Sequence, residues 1–221
     1  IVSALLMVSL PSWTCQKTAL EASIAARLLD SKLTEYAAGG RVLVKEQGYL
    51  SGTMAKAAVS CDRWYGGFEF GSDGGDRDYA GQTSLGAPLT TKSRIDNRVV
   101  GASLYWRYTE SLHFGMDVTQ QQSARTIAGT NLVAGYPETY DRLTTRIGTK
   151  WVLPSTFGMW TFGGAASVYG SQTMNLELPG KDATALTFDS PKEWELSIQW
   201  RKHFGPHLFI DATYRYINAE I

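Results

Sequence analysis

The stretch Glu193-Trp194-Glu195-Leu196-Ser197-Ile198-Gln199-Trp200-Arg201 alternates without a break. Trp194, Leu196, Ile198 and Trp200 are large and apolar, and the residues between them are polar. A helix would scatter the two kinds around its circumference. A strand sorts them, because successive side chains point to opposite sides. The stretch therefore reads as a strand whose two faces meet different surroundings. Its apolar face ends in indoles, which favour the boundary between water and lipid.

The pattern recurs. Trp64, Phe68 and Phe70 oppose Gly67, Glu69 and Gly71, and Val100, Ala102, Leu104, Trp106 and Tyr108 alternate with Gly101, Ser103, Tyr105 and Arg107. Leu112 to Val118, Leu143 to Trp151, Trp160 to Val168 and Leu208 to Tyr216 repeat it, and Tyr49 to Val59 follows it less cleanly. Ala19 to Tyr36 fits two periods. Leu20, Ile24, Leu28 and Leu33 sit near helical spacing, yet Leu20, Ala22, Ile24, Ala26 and Leu28 also alternate with Glu21, Ser23, Ala25 and Arg27. Strand is the expectation for this segment, helix the alternative.

The connections alternate in length. Tight turns fall at Ser60–Arg63, Thr109–Ser111, Leu153–Thr156 and His203–Pro206; long loops are expected at Ser72–Arg94, Gln122–Tyr140 and Asn175–Lys192, and Ala37–Gln47 reads as a loop or a hairpin extension. Aromatic residues gather beside the tight turns, which would place Trp64, Trp106, Tyr108, Trp151, Trp160 and Trp200 in one girdle, with Trp194 at a second membrane interface. Short turns on one side, long loops on the other and an aromatic ring are the plan of an antiparallel up-and-down transmembrane β-barrel. Eight to ten strands are expected. Nine are countable, and since such barrels close with an even number, a last strand is expected beyond Ile221.

Composition permits this reading. Hydrophobic residues make up 43% of the 221, low for a helical membrane protein but compatible with strands that show lipid only alternate residues. The net charge is zero, so no basic surface points to nucleic acid. Ile1 to Leu10 is a short apolar run like the core of a secretory signal, so 1–18 reads as a signal-peptide remnant and 19–221 as the barrel domain, with a bacterial outer-membrane location. If cleavage followed Cys15, Cys61 would stand alone and no disulfide framework would exist.

The segments Lys45-Glu46-Gln47-Gly48-Tyr49-Leu50-Ser51-Gly52 and Asp78-Tyr79-Ala80-Gly81-Gln82-Thr83-Ser84-Leu85-Gly86-Ala87-Pro88-Leu89 resemble those of uncharacterised Gram-negative outer-membrane barrels of the OmpA/opacity type. That resemblance implies a signal sequence, a barrel and outer-membrane residence, and no catalytic residues.

The polar faces assemble Arg27, Glu69, Arg107, Asp117, Arg146, Lys150, Glu195, Arg201, Asp211 and Arg215, joined by Lys56, His113 and Gln199. In a small barrel these fill the lumen, and mixed charges there pair into a plug. Gly67, Gly71, Gly101, Gly115, Gly148 and Gly163 leave room for the alternative, a narrow diffusion channel biased weakly towards anions. No nucleophile–base pair or metal spacing stands out. Asp73, Asp76 and Asp78 read as a solvated loop. No cofactor and no catalysis are expected. The expected role is structural or surface-interacting, through the long outer loops, in a monomer. Its partners would be outer-membrane lipid and lipopolysaccharide, the barrel-assembly machinery and an unidentified surface ligand. A soluble lipocalin-like binder is the further alternative.

Overall fold

The computed structural model describes residues 15, 18–36, 40–82, 87–131, 134–177, 183–188, 192–205 and 209–220. They form an all-β protein. The strands are β1 (Thr18–Tyr36), β2 (Val42–Cys61), β3 (Trp64–Gln82), β4 (Pro88–Arg107), β5 (Leu112–Ile127), β6 (Tyr136–Ser155), β7 (Gly158–Leu176), β8 (Thr184–Phe188), β9 (Lys192–His203) and β10 (Phe209–Glu220). All but β8 follow one path in which each strand pairs antiparallel with its predecessor; β8 folds back on the far end of β7. The result is a nine-stranded up-and-down half-barrel. β1 and β10 both run away from the tight turns, so the two margins of the sheet point the same way.

The ambiguous first segment is strand. β1 pairs along its whole length with β2, from Thr18 opposite Cys61 to Tyr36 opposite Val42. The period of two wins over the helical spacing because it serves both faces. Leu20, Ile24 and Leu28 point outward, while Glu21, Arg27 and Glu35 find ion-pair partners inside.

The long loops are largely strand. β3 and β4 stay in register from Trp64 opposite Trp106 to Gln82 opposite Pro88, which turns Ser72–Arg94 into the far half of a hairpin. β5 continues to Ile127 and β6 begins at Tyr136, so Gln122–Tyr140 shrinks to a short connection. β2 starts at Val42, so most of Ala37–Gln47 takes the hairpin-extension alternative, and β8 occupies part of Asn175–Lys192. The outward positions of these stretches are mostly polar, and a strand wetted on its outer side loses the hydrophobic signal that marks it in sequence. Their inner positions include buried Val44, Tyr79 and Ile127, which pack with Leu43, Leu89 and Tyr136. Strands of 16 to 20 residues (β1 to β7) far exceed the roughly 9–11 that a tilted spanning strand needs.

The outer surface is consequently split by height. Near the tight turns it carries a continuous apolar belt that includes Phe68, Val100, Leu104, Met116, Ile147, Leu196 and Ile198, all exposed. On β1 the belt runs from Leu20 to Leu28, roughly 26 Å along the strand. Above it the same outward face turns polar: Ser72, Asp76 and Asp78 on β3, and Lys92, Arg94, Asp96 and Arg98 on β4. The tight-turn rim is aromatic. Trp64 and Trp106 lie 6.3 Å apart between ring centres, Trp106 and Tyr108 5.5 Å, and Tyr108 and Phe114 6.1 Å; Trp160 faces Trp200 across the β7–β9 pair. Trp194 stands at the opposite end of the belt and packs on Tyr216 at 5.2 Å.

At the tight-turn end Cys15 and Cys61 form a disulfide in the chain that retains Cys15, a pairing the sequence reading did not include. The remainder of the 1–18 segment, apart from Cys15 and Thr18, lies outside the described residues, as does His207.

Candidate functional site

The concave side of the sheet collects nearly every charged residue that is buried. Long strands of alternating register put these groups on one face, and the curl brings together residues that are far apart in sequence. Three tiers can be followed from the polar end downward.

The upper tier stands above the belt and centres on Arg125 of β5. Its Nε donates to Glu46 of β2 at 3.0 Å, and its Nη1 donates to Glu138 of β6 at 2.8 Å, to Tyr140 at 3.0 Å and to Glu35 of β1 at 3.2 Å. Arg77 takes the second oxygen of Glu46, whose side chain has no exposed surface. Arg125 and Glu46 are three strands apart, so their contact crosses the interior. Burial opposes the charge on Arg125, but Glu138 and Glu46 more than offset it and hold its pKa above the usual arginine range. Burial lowers that of Arg77, with Glu46 acting against it.

The middle tier centres on Arg146 of β6. It binds Asp117 of β5 at 2.6 Å, Glu193 at 2.7 Å and Glu195 at 2.8 Å, the last two on β9. Arg142 reinforces Glu193. Arg215 of β10 reaches Glu195 at 3.6 Å and Glu69 of β3 at 3.9 Å, and Lys56 reaches Glu69 at 3.8 Å. Arg27 pairs with Asp73 at 3.1 Å, and Asp73 also accepts from the Asn97 amide at 2.7 Å.

The lower tier lies beside the tight turns. Arg201 of β9 grips Glu21 of β1 at 2.7 Å and Asp211 of β10 at 2.9 Å, bringing the two margins of the sheet close at this end. Lys150 lies 3.7 Å from the centre of the Tyr105 ring, Tyr65 stacks on Tyr105 at 5.3 Å, and Arg107 sits 5.3 Å over Tyr65. The Tyr65 hydroxyl is 3.2 Å from Nδ1 of buried His113. Among the described residues neither Arg107 nor Lys150 has a carboxylate at ion-pair distance; both rest on aromatic faces, as a cation can.

All ten residues expected in the polar network face this interior. Eight of them form ion pairs with carboxylate or guanidinium partners, and Arg107 and Lys150 join the aromatic cluster instead. The sequence reading did not include Glu21, Glu35, Glu46, Arg77, Arg125, Glu138, Arg142 and Glu193. Arg77, Arg125 and Glu138 lie in stretches that read as loops, where the alternation runs among mostly polar neighbours. Asp73 corrects the reading of the acidic cluster as solvated. It is buried and points inward, whereas Asp76 and Asp78 point outward towards Arg94 and Lys92.

The inward glycines are not empty space. A Cβ on Gly115 would lie 2.5 Å from the Tyr105 ring, one on Gly101 2.8 Å from the Glu69 side chain, and one on Gly71 2.9 Å from Met54 Sδ. Each glycine is the recess into which a neighbouring strand's side chain fits. Among the described residues no group of three His, Cys, Asp or Glu is placed to hold a metal ion. The arrangement thus ties the strands together by charge along the concave face. No family model matches the chain, and no curated protein matches it.

Proposed function

We propose that the protein is an outer-membrane β-barrel of the OmpA/opacity type, with a structural and surface-interaction role and no catalysis. The belt of exposed large apolar side chains carries this reading. A soluble protein rarely leaves a contiguous apolar patch beyond a few hundred Å² in water, whereas a bilayer requires such a belt, flanked by aromatic rings. The tight turns would face the periplasm, and the polar upper halves of β2 to β7 would stand outside the cell as a rigid platform that meets lipopolysaccharide or a surface ligand. The ion-paired interior supports a sealed lumen, since opening it would strand charges that now neutralise one another.

The test combines two measurements on protein refolded in detergent. A folded barrel should run differently on a gel unheated than boiled, and the same protein in a planar bilayer should conduct no more than the empty membrane. Stable single-channel steps, removed by blocking substitutions in the middle tier, would overturn the sealed lumen in favour of a channel. The Arg107–Lys150 cluster, which among the described residues has no carboxylate at ion-pair distance, is the observation that favours such a channel being anion-selective. Full solubility without detergent and no gel shift would overturn the membrane reading itself.

A further inference from the structure

Just above the belt the outer surface of β2 to β7 is drawn in, leaving an open cavity of about 900 Å³. Outward-facing Ser51, Ser72, Arg98, Gln122, Thr139 and Asp141 help to line it.

Arg98 is the distinctive group here. It stands two residues above Val100, the first belt residue of β4, on the same outward face. Its cross-strand neighbours are Ser72 and Gln122, both uncharged hydrogen-bonding side chains. The other outward cations of β4 are taken: Lys92 by Asp78, and Arg94 by Asp96 and Asp76. Among the described residues Arg98 has no carboxylate at ion-pair distance. The lining also carries three carboxylates: Asp96 pairs with Arg94 at 3.2 Å, Asp73 pairs with Arg27 at 3.1 Å, and Asp141 accepts from the Gln120 amide at 3.3 Å.

We propose that this cavity receives the phosphate of a lipid headgroup from the surrounding leaflet, with Arg98 as its charged anchor. A guanidinium fork matches a phosphate's oxygens, and serine and amide groups complete the donor set. Directly below, Val100, Ala102 and Leu104 form an apolar column along which the same lipid's acyl chains would lie. One amphiphile is thereby matched at both ends, which a free phosphate is not. The inference rests on the membrane reading above.

The experiment uses the folded protein in uncharged detergent micelles, to which lipid A, dephosphorylated lipid A or inorganic phosphate is added. Retention is read by native mass spectrometry and by the temperature at which the gel shift is lost. Lipid A should be retained and should raise that temperature. Arg98→Gln should bind it at least about tenfold more weakly, as loss of a charge-assisted bond implies, while Lys92→Gln should bind it like the unaltered protein. Equal retention by Arg98→Gln, or of the dephosphorylated lipid, would overturn the headgroup site. An equal effect of inorganic phosphate alone would overturn the lipid as its source. A normal gel shift without lipid A retention would sink this inference alone, whereas absence of the shift would sink the membrane reading beneath it.

Discussion

Replacing Leu196 by arginine is expected to lower folding stability in lipid vesicles by about 2–4 kcal/mol, the range for a cation near the middle of a lipid-facing strand. Leu196 is more than half exposed, and in a water-soluble protein a charge there would shift stability by no more than about 0.5 kcal/mol. The effect is therefore diagnostic of the solvent around the belt. Thr90→Arg supplies the control, since Thr90 is exposed and outward on β4 but lies well above the belt. Unfolding by urea in vesicles, followed by the gel shift, separates the two. Equal and small losses at both positions would mean that water, not lipid, bathes the belt.

Arg146→Met is expected to cost about 3–5 kcal/mol, the range for removing one partner of a buried ion pair. The arginine side chain is 8% exposed and holds Asp117, Glu193 and Glu195 together. Without it three carboxylates on β5 and β9 face one another with Arg142 and Arg215 paired to two of them and Lys150 further off. Part of the loss should return when Glu193→Gln and Glu195→Gln are added, because the repulsion then vanishes. A loss within about 1 kcal/mol, as for an exposed pair, would mean that water fills the middle tier. Such a result would also weaken the sealed-lumen reading.

The lower half of the sheet was legible in the sequence because its two faces differ in hydrophobicity. Glu193 to Arg201 and Val100 to Tyr108 announce both strand and facing. The upper half was not, since Arg77 and Asp78 face opposite ways yet look alike to a hydrophobic pattern. Glu46 shows the same limit: it lies within a segment quoted for its family resemblance, but its burial depends on Arg77 and Arg125, which arrive from other strands. Ion pairs between residues 79 or 180 positions apart follow from the curl of the sheet, and no local pattern encodes that curl. The role of Arg98 likewise depends on which neighbouring cations are already paired.

The Cys15–Cys61 bond bears on how the first margin of the sheet behaves. Among the described residues β1 pairs with β2 alone, and a strand bonded along a single side is the natural place for fraying to begin. Its hairpin with β2 is joined at the upper end by the chain itself and at the lower end by the disulfide, 46 residues apart in sequence. β1 is thus the rung of a closed covalent ring, and it cannot peel from either tip without opening the middle of the ladder first. Reduction should therefore appear as faster hydrogen exchange from Thr18 upward, with the β4–β5 pair unchanged. Uniform acceleration across both would assign the bond to the stability of the whole fold instead. Under oxidising conditions the margin then persists as a pre-ordered strand edge whose outer hydrogen-bonding groups are held in the geometry that strand pairing uses.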